Sequence, residues 1–171
     1  QHRRRTHLQE QFGPEYDRAV EGGDRREAER DLRERAQRRE ELDIRPLPAR
    51  ERAAFAKRWR ATQADFVDQP SLAIQSADLL VTEVMSRRGY PVGDFDQQVR
   101  DVSVDHGHVV EEYRLAHDIS ERNDRNEAST EDLRQAMVHY RALFADLLDE
   151  GEDGDEGDDR TIDLTDREAR R

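Results

Sequence analysis

Large apolar side chains are spread unevenly along the chain: eight fall in residues 1 to 53, thirty in 54 to 148 and two in 149 to 171. Burial of such groups is the main term that offsets ~1–2 kcal/mol of backbone entropy per ordered residue, so the middle of the chain is where a core can form. Phe55, Trp59, Thr62 and Phe66 recur at steps of four, three and four, which predicts a helix after Pro48 that ends near Asp68. Pro70 suits the first turn of a second helix with Ala73, Ala77, Leu80, Val81, Val84 and Met85 as its stripe, and Gly89 suits its end. Asp94 is placed to cap a short helix bearing Phe95, Val99 and Val102, and Asp105 a longer one with Val109, Tyr113 and Ala116 inward. Ser129 or Thr130 opens the strongest helix, with Leu133, Met137, Tyr140, Phe144, Leu147 and Leu148 along one side. No comparable strand pattern competes. The pattern predicts an all-α fold: a compact bundle of about five helices over 48–148.

The amino-terminal third reads differently. Residues 24 to 42 form a helix capped by Asp24, with mixed-sign pairs such as Glu29 with Arg33 and Glu34 with Arg38. Its few apolar residues place it splayed from the core, or across it through one narrow edge at Leu32 and Leu42. Gly13 with Pro14, and Gly22 with Gly23, interrupt the segment before it.

Composition narrows the function classes. The chain is 41% charged and 33% hydrophobic, with a net charge of -12, so its average field repels nucleic-acid backbones and no nucleic-acid partner is expected. Residues 25 to 39 are the weak exception, a basic stretch that would contact nucleic acid only against that field. Cysteine is absent, which removes disulfides, thiolate metal sites and a cysteine nucleophile. No apolar run approaches the ~18–20 residues that cross a bilayer. Residues 146 to 159 hold nine acids and no base, which predicts a disordered, solvated acidic tail over 149–171.

Few residues suggest chemistry. Arg3, Arg4 and Arg5 are either a solvated charge run or the flank that holds a membrane span on the cytoplasmic side. His106 and His108 flank Gly107, but residues two apart on a helix diverge by about 200°, so they converge only if the turn at Gly107 is irregular. The plainer reading makes them surface histidines beside a capping Asp105, with no metal and no cofactor. His139 is a core-edge histidine with no nucleophile placed beside it. Phosphate-binding glycine loops, the Gly-x-Ser-x-Gly elbow and His-Glu-x-x-His are all missing from the sequence. Trp59, Phe66 and Tyr90 are assigned to core packing rather than to an aromatic patch. Ile162 and Leu164, within Thr161 to Thr165, are candidate partner-binding residues that could add a strand to another protein's sheet.

Several stretches carry a resemblance: Leu8-Gln9-Glu10-Gln11-Phe12-Gly13-Pro14-Glu15-Tyr16, Leu42-Asp43-Ile44-Arg45-Pro46-Leu47, Phe66-Val67-Asp68, Val81-Thr82-Glu83-Val84-Met85, Arg88-Gly89-Tyr90-Pro91 and the run from Glu131 to Arg141. Over about residues 5 to 148 the chain resembles an uncharacterised protein family of high-GC Gram-positive bacteria. Its members carry one amino-terminal membrane helix, a short arginine-rich stretch and a soluble helical region. The resemblance implies a cell-membrane location with the domain facing the cytoplasm, and Arg3, Arg4 and Arg5 just after a span that this chain lacks. It brings no activity or catalytic residue. The expected organisation is a juxtamembrane helical segment at 1–23, a charged helix and linker at 24–47, the bundle at 48–148 and the tail. The expected role is non-catalytic: a membrane-tethered protein-interaction domain with an unknown protein partner, self-association being open. The alternative is a metal-dependent or acid/base enzyme built on His106 and His108, or on His139, with nearby carboxylates.

Overall fold

The computed structural model describes residues 2–149. The chain runs α1 (His2–Phe12), α2 (Pro14–Glu21), α3 (Arg25–Glu41), α4 (Ala49–Asp65), α5 (Pro70–Arg88), α6 (Phe95–Val102), α7 (Val110–Asp124) and α8 (Thr130–Asp149), with no strand among the described residues. The expected acidic tail, apart from Asp149, lies outside the described residues, as do Ile162 and Leu164.

Helix ends follow local chemistry. The Asp24 carboxylate accepts from the Arg26 amide at 2.9 Å, and the Asp94 carboxylate from the Asp96 amide at 3.3 Å, each satisfying a donor that the helix leaves orphaned. Ser129 and Asp132 form a reciprocal capping box: the Asp132 amide donates to the Ser129 hydroxyl at 3.0 Å and the Ser129 amide to the Asp132 carboxylate at 2.9 Å. The Ser129 amide, with the Ser129 hydroxyl, holds the Asp132 carboxyl below its ordinary range. At the end of α5, Gly89 adopts φ 102° while the Tyr90 amide reaches the Met85 carbonyl at 3.0 Å and the Gly89 amide the Ser86 carbonyl at 3.1 Å, a Schellman termination.

The five helices of residues 48–148 form the predicted bundle. α8 packs on α5 and α7, and α4 covers α5. Every residue of the expected α5 stripe is buried, and Trp59 of α4 stacks on Phe144 of α8 with ring centroids 4.7 Å apart. Tyr140 and Tyr113 are wholly enclosed, so burial pushes both phenols up; their hydroxyls donate to Asp78 at 2.8 Å and to Gln98 at 3.0 Å.

A second apolar cluster lies outside that bundle. Leu8 and Phe12 of α1, Tyr16 of α2 and Leu32 of α3 enclose Val104, which projects from the connection between α6 and α7. α3 is therefore neither splayed nor seated on two points. Leu32 is fully buried, Leu42 only half-buried, and α1 and α2 complete the pocket that receives Leu32. A small core suffices because the remaining attachment is ionic.

One expected cap is absent. α7 begins at Val110 after Val109, and no side chain caps it. The Asp105 carboxylate instead receives Arg39 of α3 and the Tyr90 hydroxyl, which keeps residues 103–109 out of the helix and in turns. Within those turns Gly107 lies so close to the Phe12 carbonyl that a Cβ would overlap it. Gly107→Ala is expected to cost about 1–3 kcal/mol, because backbone rather than a flexible side chain must yield. Leu143→Ala, at a fully buried position on α8, is expected to cost about 2–5 kcal/mol. Urea unfolding measures both.

Candidate functional site

Charged side chains concentrate where the layer of α1, α2 and α3 meets the bundle. Glu15, near the start of α2, has a side chain only 1% exposed. It accepts from Arg35 of α3 at 2.9 Å and from both terminal nitrogens of Arg114 of α7, each at 2.7 Å. Burial alone would raise the Glu15 carboxyl; the hydrogen bonds and positive charges of Arg114 and Arg35 outweigh it and hold the group below its ordinary 4.5. Arg35 also pairs with Asp31 at 2.8 Å and donates to the Ser103 hydroxyl at 3.2 Å.

The seam continues along α3. Arg38 pairs with the buried Asp101 of α6 at 2.7 Å, Gln97 donates to the same carboxylate at 2.8 Å, and Arg100 crosses back to Asp31 at 2.6 Å. Within α3 mixed-sign pairs of the expected spacing form at Arg25 with Glu29 and at Asp31 with Arg35, but not at the two pairs named from the sequence. Arg38 leaves Glu34 for Asp101, and Glu29 accepts the Tyr16 hydroxyl at 2.8 Å instead of engaging Arg33. Partners across the seam are less solvated, so a guanidinium gains more there than from an exposed neighbour on its own helix.

The histidines do converge, on a residue that sequence reasoning passed over. His106 is fully buried, contrary to its assignment as a surface residue. Its Nδ1 meets the Asp146 carboxylate of α8, and His108 Nε2 meets the other oxygen of that group at 2.8 Å. Arg88 of α5 approaches His106 Nε2 at 3.3 Å. A guanidinium can only donate, so Nε2 accepts and the proton sits on Nδ1, facing Asp146. Burial would raise the Asp146 carboxyl, but its contacts with His106 and His108 keep it below its ordinary 3.8. The irregular turn at Gly107 is what makes this convergence possible. No group of three or more histidine and carboxylate ligands with metal-holding geometry occurs among the described residues. Arg88 itself is held by carbonyls, donating to Arg45 at 3.1 Å and Leu147 at 3.3 Å.

Arg3, Arg4 and Arg5 are exposed on α1, and Arg5 also acts on the Tyr16 phenol. His139 is half-buried on α8, away from this cluster's two other histidines in sequence and facing no described partner. Trp59 and Tyr90 are core residues as expected. No helix among the described residues is long and apolar enough to cross a membrane. The side chains of this cluster that the sequence reading did not single out are Glu15, Arg35, Arg114 and Asp146, while Arg38 was paired there with Glu34. A signal existed for part of this set: Arg35, Arg38 and Arg39 lie at the spacing of one helix face, beside Leu32. Comparison of the chain with models of known families, with curated proteins and with solved structures finds no match.

Glu15→Ala leaves Arg35 and Arg114 without their shared anion and is expected to cost about 3–5 kcal/mol. Because the folded Glu15 and Asp146 carboxyls lie below their ordinary values, their contribution is complete above about pH 4.5 and is lost as pH falls through the folded values. Glu15→Gln is expected to flatten that acid limb, as read from urea midpoints between neutral pH and the acid range.

Proposed function

We propose that this chain is a non-catalytic helical domain, tethered to the cytoplasmic face of the cell membrane at its amino-terminal end, which acts by binding another protein. The observation that supports it best is the employment of the reactive side chains. His106 is sealed from solvent between Asp146 and Arg88, and Glu15 is sealed between Arg35 and Arg114. Groups in those positions are engaged in holding one layer to another. The exposed arginines at residues 3 to 5 suit an anionic surface, near which each contributes ~1 kcal/mol. The family resemblance gives the same end of the chain to the membrane.

One observation favours the acid/base reading: Asp146 gathers two histidines, and exposed His108 borders a cleft of about 370 Å³ shared with Glu15, Glu111 and Glu112. Metal analysis of purified protein separates the readings, since stoichiometric zinc or manganese lost in His106→Ala and His108→Ala supports an enzyme. Full-length protein in its own host is expected to stay with the membrane fraction through a high-salt wash, and crosslinking from intact membranes to yield a discrete protein partner. Recovery in the soluble fraction overturns the tether.

A further inference from the structure

Carboxylates drawn out of water in this fold have cations beside them, with Asp78 of α5 an exception. Glu15, Asp31, Asp101 and Asp105 each meet an arginine at 2.9 Å or less. Asp78 is half-buried, yet it enters no ion pair among the described residues. Its Oδ1 accepts the Tyr140 hydroxyl; its Oδ2 has no hydrogen-bond partner among the described residues and is reached by solvent. Asp78 borders a cavity of about 370 Å³ between α5, α7 and the start of α6. Gln98 lines the same cavity and is only 7% exposed. Its side-chain oxygen accepts the Tyr113 hydroxyl at 3.0 Å, and its side-chain nitrogen donates to nothing among the described residues. No lysine or arginine among the described residues lines the cavity.

A carboxylate half out of water with no positive neighbour favours a cation, and the geometry selects among cations. With Oδ1 taken by Tyr140, one oxygen is left, so a guanidinium loses the paired donors that make arginine the stronger carboxylate ligand. A primary ammonium is compact and bonds single oxygens. Oδ2 of Asp78 is one; the Thr82 hydroxyl, which donates to the Asp78 carbonyl at 3.0 Å and keeps its lone pairs, is another. Phe95 and Tyr113, their rings edge to face at 5.0 Å, add an aromatic wall that attracts a cation. Leu79 and Val92 also border the cavity and are 63% and 45% exposed, which offers apolar surface to an aliphatic stem. We propose that this cavity takes up a lysine side chain of a partner protein, the ammonium on Asp78 and Thr82, the stem along Leu79 and Val92, and a main-chain carbonyl on the Gln98 amide. The proposal rests on the protein-binding reading and gives the partner a chemistry. A second copy of this chain is a poor source, because its single lysine, Lys57, stands inside α4, where carbonyls are bonded along the helix.

The capped tripeptide Ala-Lys-Ala is titrated into the isotope-labelled chain and followed by NMR, with Ala-norleucine-Ala as its uncharged match. The expected result is saturable shifts at the Gln98 side-chain amide and at Val92 and Gly93, with a Kd of about 1–10 mM. The norleucine peptide, and the lysine peptide on Asp78→Asn, are each expected to bind about tenfold more weakly. Asparagine keeps an acceptor for Tyr140, and Val92→Lys, at an exposed position, blocks the cavity with its own ammonium; unchanged melting temperatures exclude unfolding as the cause of either loss. Equal binding of the two peptides, or binding unaltered by Val92→Lys, overturns the ammonium site. Cadaverine that binds as tightly as the lysine peptide overturns a protein as the source. A dimer that dissociates in both Lys57→Gln and Asp78→Asn gives the site to a second copy and overturns the foreign partner. Crosslinking from host membranes reads the partnership separately: a partner captured equally by wild type and Val92→Lys overturns the cavity and leaves protein binding standing, whereas capture of none by wild type overturns the protein-binding reading itself.

Discussion

A carboxylate removed from water must be neutralised where it sits, and Glu15 meets that condition only when α2, α3 and α7 are together. Arg35 arrives from one helix and Arg114 from another, and both contact the same oxygen. Neither α3 nor α2 carries enough apolar surface to dock by burial alone. With Leu32 as the one fully buried large residue of α3, directional charge takes over the task that a broad apolar stripe performs in α5 and α8.

The same seam explains the two closest backbone approaches. At Gly107 the turn after α6 comes against the Phe12 carbonyl, and at Gly89 the end of α5 comes against the Asp43 carbonyl. The connection after α3 is then tied to α5 in both directions, the Arg45 amide donating to the Arg88 carbonyl at 2.8 Å and the Arg88 side chain returning to the Arg45 carbonyl. Phe12, Asp43, Arg45 and Arg88 to Tyr90 thereby have an architectural use: they specify how one layer seats on another.

Chemistry and architecture draw on one stock of side chains here. His106, Asp146 and Arg88 have the residue types of an acid/base site, yet their nearest atoms face one another inside the protein. The charged groups left facing solvent are a different population, among them the arginines of α1 and Arg33.

Much of the bundle was legible along the chain. Steps of three and four at Phe55, Trp59 and Thr62, the α5 stripe, the Schellman glycine and the Ser129 capping box are each decided within a few residues, by helix geometry and orphaned backbone groups that do not depend on distant partners. The mixed charge of α3 was legible as a helix, but its partners were not. Arg38 could satisfy Glu34 locally or Asp101 across the seam, and the choice depends on how far water is excluded from each, which is a property of the assembled layers. Asp105 likewise has the residue type and position of a helix cap, until Arg39 and Tyr90 claim it. His106 and His108 diverge on any regular helix; only the contact between Gly107 and α1 bends the chain enough to bring both to Asp146. Apolar periodicity is written locally and can be read locally. Pairing among charges is settled by distance and burial, and these come into being only when the chain has folded.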